Sequence, residues 1–259
     1  MKKRINLFGL PIDVLTMKDT LSLIENAIDN KKPIHHVVVN AAKMVNAQKD
    51  SELRESIIHC DIINADGQAV VWASKILKQP LPERIAGIDL MEELVKLSAK
   101  KKYTIYFLGA KEKVVKTVLD KYIETYGSQI IAGHRNGYFS KDEEIEVAQE
   151  ISDKKPDILF VAITSPKKEI FLNTYKHLIR VPFIMGVGGS FDVVSGTVKR
   201  APMWMQKAGL EWFYRVIQEP GRMWKRYLLT NSKFILLLIK AKSEKMFSKN
   251  RVGKECNTP

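Results

Sequence analysis

The alternation of short apolar runs with segments of helical periodicity constrains the fold of this chain more than any other feature. The apolar runs, each bounded by turn residues, lie at residues 5–7, 36–39, 62–63, 104–108, 130–132, 158–163 and 183–187. They are rich in β-branched residues and do not alternate apolar with polar positions, which is typical of strands buried on both faces of a sheet. We therefore predict that these runs form parallel strands.

The segments between these runs have the patterns of amphipathic helices. Helices are predicted from residue 16 to about residue 30 and over residues 42–49, 67–75, 89–100, 111–126, 141–153 and 167–177. Thr16 with Asp19 resembles a capping box, and Ser165 before Pro166 is typical of a helix start. Strands that alternate with helices predict an α/β fold, with a Rossmann-like, mainly parallel sheet flanked by helices.

The last quarter of the chain has a different character, because helical patterns continue there without strands. From Lys199 onward the sequence contains fourteen lysine and arginine residues and four glutamates, which accounts for ten of the chain's thirteen net positive charges. We divide the chain into an α/β core at residues 1–198, a basic amphipathic helical appendage that associates with membranes at residues 199–249, and a disordered tail at residues 250–259. Arginine with tryptophan is typical of a membrane interface or a surface for anionic ligands. A helix with a solvated charged face is an equal alternative, and nucleic acid also fits the charge.

Several classes of protein are excluded by what the sequence lacks. Cys60 and Cys256 are the only cysteines and have no paired spacing, which excludes a disulfide framework and a thiolate zinc site. No Asp-x-Asp, His-Glu-x-x-His or P-loop pattern occurs, so we expect no metal and no cofactor. The longest apolar run, residues 234–239, is too short to span a bilayer, and no signal peptide is evident. We expect a cytoplasmic protein that is at most peripheral to a membrane.

Polar residues and glycines follow several of the predicted strands. Asp66 comes after the strand at 62–63 and Asn40 ends the strand at 36–39, and α/β folds bind their ligands at the carboxyl ends of strands. An aspartate that only caps a turn or helix is the simpler alternative for Asp66.

Two glycine turns also follow strands, at Gly109-Ala110 and at Gly188-Gly189. Backbone N–H groups in such turns can approach a phosphate closely. Asp192 follows the second turn, where its carboxylate can accept a hydrogen bond from a ribose or sugar hydroxyl. These positions predict a nucleotide or sugar site at the carboxyl edge of the sheet.

Longer motifs occur in a fixed order along the chain. They are Asn-Ala-Asp-Gly at 64–67, Arg-Ile-Ala-Gly-Ile-Asp at 84–89, Phe-Leu-Gly-Ala at 107–110, Pro-Asp-Ile-Leu at 156–159, Ser-Pro-Lys-Lys-Glu at 165–169 and a basic, tryptophan-rich segment at 187–228. Together they resemble the WecG/TagA/CpsF family of bacterial glycosyltransferases, over about residues 5–240. Members of that family attach a sugar from a nucleotide donor to an acceptor linked to undecaprenyl diphosphate.

The resemblance implies roles for residues of the core. Asp66 matches the family aspartate that acts as catalytic base, and Asn40 matches an asparagine of the site. Arg84 matches an arginine that is suited to bind a phosphate, although a structural salt bridge with Asp89 is as plausible. Lys168 stands where the family has glutamine, so its charge can contact donor phosphates or a carboxylated sugar, or lie exposed. Val38 replaces a family threonine, which leaves the identity of the donor open.

The resemblance also implies roles for the appendage. Arg215 and Arg222 match arginines that the appendage brings toward the active site, and Lys225 stands at a position that is often arginine. These cations would bind the diphosphate or the lipid, since stabilisation of the departing diphosphate without a metal needs backbone N–H groups and cationic side chains.

The resemblance implies an inverting, metal-independent glycosyltransferase without a cofactor. It would move N-acetylmannosamine from a UDP-sugar to undecaprenyl-diphosphate-linked N-acetylglucosamine, in the synthesis of a teichoic acid-type polymer. Transfer of glucose or another sugar in capsule or exopolysaccharide synthesis is the alternative within the class. A basic nucleic-acid-binding α/β protein is the alternative from another class, although we expect no nucleic acid. The expected location is the inner face of the bacterial cell membrane, and a homo-oligomer is left open.

Overall fold

The computed structural model describes residues 2–255, without the side chains of residues 222, 226 and 246–255. The strands are β1 Arg4–Leu7, β2 Leu10–Asp13, β3 Ile34–Val39, β4 Ile62–Ala65, β5 Ile105–Gly109, β6 Ile131–Arg135, β7 Ile158–Ala162 and β8 Phe183–Gly186. β3 to β8 form one six-stranded parallel sheet in the order β4-β3-β8-β7-β5-β6. The predicted α/β fold with a parallel sheet is confirmed.

The helices of the core include all seven that were predicted, together with α3 and α9, which were not predicted. They are α1 Met17–Asp29, α2 Ala41–Asn46, α3 Ser51–Ile58, α4 Gln68–Ile76, α5 Gly87–Lys101, α6 Glu112–Tyr126, α7 Glu144–Lys154, α8 Lys167–Ile179, α9 Ser190–Ser195, α10 Met203–Lys207, α11 Glu211–Gln218 and α12 Pro220–Glu255. The capping box at Thr16 is present, because the side chains of Thr16 and Asp19 each accept from the other's backbone N–H. The N-cap of α8 is Pro166, not Ser165, so the helix begins at Lys167, one residue later than the Ser-Pro pattern predicts.

The N-terminal region differs from the prediction of a single strand. β1 and β2 form an antiparallel hairpin, and Gly9 in its turn has φ +79°, where a Cβ would lie 2.7 Å from a guanidinium nitrogen of Arg54. Asp13, at the end of β2, pairs with Arg4 at 2.7 Å and accepts from the backbone N–H of Ile63 at 2.7 Å. The hairpin is thereby tied to β4 in the main sheet.

Apolar side chains pack on both faces of the sheet. On one face, α1, α5, α6 and α9 cover a cluster in which Phe107 lies 5.8 Å, between ring centroids, from each of Tyr122, Phe160 and Phe191. A second cluster joins α7 and α8 to β5, β7 and β8, and a third joins the hairpin, α2, α3 and α4 to β3 and β4. This packing leaves the carboxyl ends of the strands as the edge where loops converge.

The appendage packs on the core. The sheet is complete before residue 199, since its last described strand ends at Gly186. Phe234 of α12 is only 5% exposed and meets Phe8 of the hairpin edge-on at 5.4 Å, and Lys245 Nζ donates to Leu77 O at 2.7 Å. No helix within the described residues is long and apolar enough to cross a membrane.

The expected disordered tail is only partly covered by the structure. α12 continues to Glu255, so the backbone of residues 250–255 is helical and differs from that expectation. Residues 256–259 lie outside the described residues.

Candidate active site

Four neighbouring strands bring most of the candidate residues to one edge of the sheet. β4, β3, β8 and β7 are adjacent in this order, and their carboxyl ends lead into Asp66, Asn40, the Gly188-Gly189 turn and Lys168 respectively. Asn40 caps α2, because its Oδ1 accepts from the N–H of Lys43 at 3.0 Å. Its Cβ lies 3.8 Å from where a Cβ on Gly67 would stand, next to Asp66.

Asp66 occupies a half-buried position at the end of β4. Its backbone N–H donates to Val39 O at 2.9 Å, which fixes the turn, and its carboxylate accepts from the N–H of Gly87. Burial raises the pKa of Asp66 above its ordinary value, while the positive charge of Arg84 opposes this effect. A carboxylate with a raised pKa, held at a strand end, is suited to take up a proton.

Arg84 connects the core to the appendage. It pairs with Glu211 of α11, and its second contact, with Asp89 of α5, is longer at 4.0 Å. Asp89 also binds Arg200, with 2.6 Å between Oδ1 and Nη1. The salt bridge of Arg84 with Asp89 is therefore weaker than the contact that the appendage supplies.

A second group of charges lies under the same edge. Lys168 and Lys43 both contact Oε1 of Glu169, at 3.3 Å and 2.9 Å, and all three side chains are buried. Burial by itself raises the pKa of Glu169, but the two ammonium groups outweigh burial and lower it. Lys168 is thus buried, which corrects the alternative that its charge is merely exposed.

The second glycine turn brings the appendage to the core. Gly188 has φ +55°, which favours glycine, and it leads into Gly189 and α9. A Cβ on Gly189 would lie 3.8 Å from Oδ2 of Asp192 and 3.9 Å from Nη1 of Arg215. Asp192 and Arg215 therefore flank this turn, where a phosphate or sugar would meet backbone N–H groups and a cation.

Some candidates lie away from Asp66. Gly109 ends β5 and Ala110 follows it, four strand spacings from β4, or about 19 Å along the same edge. A Cβ on Gly109 would lie 2.5 Å from the backbone carbon of Ala162, so close strand packing explains this glycine without a phosphate. Ala110 O accepts from the N–H of Gly137 at 2.9 Å.

Two candidates of the appendage are not placed at the core. The amine of Lys225 lies over the ring of exposed Trp224, 5.6 Å from the ring centroid. The side chain of Arg222 lies outside the described residues, so its predicted approach to the site stays a prediction.

Sequence reasoning missed four charged residues of this region, namely Lys43, Glu169, Arg200 and Glu211. Glu169, Arg200 and Glu211 stand within the motifs that were recognised, and Lys43 follows Asn40 by three residues, which places it in the first turn of α2. Those positions were the available signals. The pairing itself was not visible, because Arg84 and Glu211 are 127 residues apart in the chain.

An open cavity of about 410 Å³ lies between the core and the appendage. It is lined by Gln68, Arg84, Asp89, Met203, Gln206 and Lys207. Gly209 follows α10 at φ +70°, and a Cβ there would lie 2.7 Å from Cβ of Gln68, so the appendage is closely packed beside this cavity. Within the described part of the chain, no three His, Cys, Asp or Glu residues are grouped so that they could hold a metal ion.

Comparison with known proteins identifies the family. The sequence model of the glycosyl transferase WecG/TagA/CpsF family matches residues 5–247. This match covers the core, the residues around Asp66 and Arg84, and most of the appendage.

Named relatives are similar over most of their length. A protein of Bacillus subtilis (strain 168) is 39% identical over 223 residues, covering 86% of both chains. A protein of Bacillus spizizenii is 36% identical over 82% of this chain and 81% of its own, and one of Staphylococcus aureus (strain MW2) is 34% identical over 86% of each. All three are named N-acetylglucosaminyldiphosphoundecaprenol N-acetyl-β-D-mannosaminyltransferase. The chain therefore belongs to the WecG/TagA/CpsF family and is a glycosyltransferase.

Proposed function

We propose that this enzyme transfers N-acetylmannosamine from a UDP donor to undecaprenyl-diphosphate-linked N-acetylglucosamine, in the synthesis of a teichoic acid-type polymer. The acceptor and the sugar follow the names of the three relatives. The observation that carries the proposal is Asp66, a half-buried carboxylate at a strand end with Arg84 near it and the Gly188-Gly189 turn two strands away. That arrangement provides a base on one side and groups for a diphosphate on the other.

In this mechanism the reaction is a single displacement. The Asp66 carboxylate takes the proton from an acceptor hydroxyl while the hydroxyl oxygen attacks the anomeric carbon of the donor sugar. The bond between that carbon and the diphosphate oxygen breaks on the opposite face, so the configuration inverts and UDP leaves. Each transfer forms one glycosidic bond and releases one proton and UDP.

The leaving diphosphate has several stabilising groups at hand. The backbone N–H groups of the Gly188-Gly189 turn and the guanidinium of Arg215 lie close together at the carboxyl edge of the sheet. Preorganised donors and cations of this kind stabilise charge that develops in a transition state. They support our proposal that the reaction needs no metal.

The surface of the appendage supports attachment to a membrane. Exposed apolar side chains recur along α11 and α12; they are Trp212, Phe213, Ile217, Trp224, Leu228, Leu229, Ile235, Leu236 and Ile239. They lie within the segment that carries most of the net positive charge. Apolar side chains among basic residues bind at the interface of anionic membranes, where a lipid-linked acceptor is located.

A donor panel tests the proposal directly. Purified enzyme is given lipid-linked N-acetylglucosamine and, separately, the UDP derivatives of N-acetylmannosamine, glucose and other hexoses, with and without EDTA. We expect product from UDP-N-acetylmannosamine, and the same rate in EDTA. Product from another donor only would replace the sugar in this proposal, and loss of activity in EDTA that manganese or magnesium restores would overturn the metal-independent mechanism.

A further inference from the structure

Two buried lysines share one carboxylate beneath the carboxyl edge of the sheet. Lys43 Nζ lies 2.9 Å and Lys168 Nζ 3.3 Å from Oε1 of Glu169, and the side chains of the three residues are 8%, 6% and 3% exposed. Lys43 also donates to the carbonyl of Val38 at 2.7 Å. Among the described residues, Glu169 is the ion-pair partner of Lys168.

The path of the Lys168 side chain is built into the strand beside it. A Cβ on Gly186, the last residue of β8, would lie 2.5 Å from Cε and 2.7 Å from Cδ of Lys168. Any larger residue at position 186 would therefore displace the lysine. The ammonium group ends 3.9 Å from where a Cβ on Gly188 would stand, so it lies beside the Gly188-Gly189 turn.

The charges in this cluster do not balance. Two ammonium groups are in ion-pair contact with one carboxylate, that of Glu169, and among the described residues neither ammonium is within ion-pair distance of Asp66. One buried ammonium therefore lacks a carboxylate of its own in contact, and burial of a charge without a contacting partner is costly. Burial lowers the pKa of Lys168, whereas the carboxylates of Glu169 and Asp66 raise it. An anion bound at the Gly188-Gly189 turn would supply the missing negative charge.

We propose that Lys168, with Glu169 and Lys43 as positioning residues, binds the diphosphate of the nucleotide donor. This inference rests on the proposed function and assigns a second cation, besides Arg215, to its leaving group. Lysine binds phosphate as a point charge, and an ammonium beside a glycine turn combines that charge with backbone N–H donors. As the bond to the sugar breaks, the leaving UDP gains negative charge next to Lys168, and no proton has to be transferred to it.

Two variants on the same helix separate this role from a general effect of charge. Lys168→Gln removes the cation and introduces the neutral glutamine that the family has at this position. Lys167→Gln makes the same change one residue away, where Lys167 Nζ instead donates to Phe139 O at 2.8 Å and lies over the Phe139 ring. Titration calorimetry of the full chain with UDP and with uridine isolates the contribution of the diphosphate.

We expect Lys168→Gln to weaken UDP binding by about 10- to 100-fold, the range for a hydrogen bond to a charged group, and to leave uridine binding unchanged. Lys167→Gln should change neither affinity. Lys43→Met is the second variant. Without Lys43, the carboxylate of Glu169 pairs with Lys168 only and neutralises its charge, so UDP affinity should fall again. Thermal unfolding confirms that each variant is folded.

Three results would overturn the inference. The first is unchanged UDP affinity in Lys168→Gln and Lys43→Met. The second is an equal loss of uridine and UDP affinity, which would indicate a distorted site. The third is a loss confined to a UDP-sugar that carries a carboxylate, tested with UDP-N-acetylmannosaminuronic acid, which would place the sugar at Lys168. A wild-type protein that binds no UDP would instead contradict the proposed function.

Discussion

Asp66 combines a position that the sequence indicates with an environment that only the structure shows. Its place after the strand at 62–63 and its motif pointed to a base at the edge of the sheet. The structure adds burial, a hydrogen bond from the N–H of Gly87 and the nearby charges of Arg84 and Glu211. Because Asp66 is half-buried, its ionised form is held at a cost to stability.

We predict that Asp66→Asn abolishes turnover without unfolding the protein. A general base contributes about 10²- to 10⁴-fold to the rate, and the amide cannot accept the proton. The variant also removes a buried charge, so its melting temperature at pH 7 should equal or exceed that of the wild type. Transfer rates and thermal unfolding measure both effects; a folded variant with half the wild-type rate would contradict the assignment.

The pH dependence of activity provides a second prediction for this residue. Burial raises the pKa of Asp66 above 3.8, so the acid limb of kcat/KM should have its midpoint above that pH. The stabilising contribution of a group with a raised folded-state pKa is lost as pH rises through that pKa. The stability of Asp66→Asn relative to wild type should therefore increase with pH across the same interval, which thermal unfolding at several pH values would show.

Single residues were predictable where a motif named them and not where a distant partner defines them. Asp66 and Arg84 stand in recognisable motifs, and the structure places both at the edge of the sheet. Glu211 pairs with Arg84 across 127 residues of chain, and such contacts leave no local pattern. Gly109 shows the opposite case, since its turn looked suited to a phosphate but its missing side chain makes room for Ala162.

At the level of elements, buried strands were easier to predict than short ones. The predicted runs at 36–39, 104–108 and 158–163 are mostly apolar, and the structure has the strands Ile34–Val39, Ile105–Gly109 and Ile158–Ala162 there. β2 was missed because it has four residues, one of which is Pro11, and proline is uncommon within strands. The order of strands in the sheet was not predictable, because β8 inserts between β3 and β7, which are far apart in sequence.

The fit of α8 against β8 leads to a prediction about Gly186. Gly186→Ala should destabilise the wild type by about 1–3 kcal/mol, the usual range for overpacking, because its methyl group would overlap the Lys168 stem. In a Lys168→Ala background the same change should cost much less. Urea unfolding of the two single variants and the double variant measures the coupling; additive effects would mean that the two side chains do not compete for space.

At the level of the whole molecule, one side of the appendage packs on the core, and the other side exposes apolar and basic residues. Met205, Met223 and Phe234 are each under 9% exposed, so residues beyond 199 complete the packing of the core. The chain nevertheless carries most of its net charge and many exposed apolar side chains in the same segment. The composition indicated the charge and the apolar residues of this segment. It did not indicate the buried face of α12, because that face is defined by the contact of Phe234 with Phe8 in the distant hairpin.

We predict that Phe234→Ala destabilises the whole protein by about 3 kcal/mol, the cost of truncating a buried phenylalanine. Phe234 belongs to the cluster that includes the hairpin and α2. Leu236→Ala, two residues along the same helix and 64% exposed, is the matched control and should change stability by less than about 0.5 kcal/mol. Urea unfolding followed by circular dichroism compares them; equal effects would mean that α12 folds independently of the core.

The last prediction concerns the outer face of the appendage and a membrane surface. Phe213 and Ile217 lie four residues apart on α11, hence on one side of the helix, and they are 45% and 58% exposed. If this side enters the headgroup region, replacing both by serine should lower binding to anionic vesicles at least about tenfold, since a fully buried side chain of this kind contributes about 1.5–3 kcal/mol. Uridine diphosphate binding should be unchanged, because neither side chain belongs to the edge of the sheet.

The control for this experiment removes two exposed apolar side chains from the core instead of from the appendage. Ile123→Ser with Ile145→Ser removes two exposed isoleucines of α6 and α7, which are 39% and 60% exposed, and should leave vesicle binding intact. Co-sedimentation with anionic and zwitterionic vesicles at low and high salt separates the two contributions, because attraction to anionic lipid is screened by salt and apolar insertion is not. Equal losses in both double variants would indicate non-specific adsorption, and full binding by the Phe213→Ser/Ile217→Ser variant would show that this face of α11 does not meet the membrane.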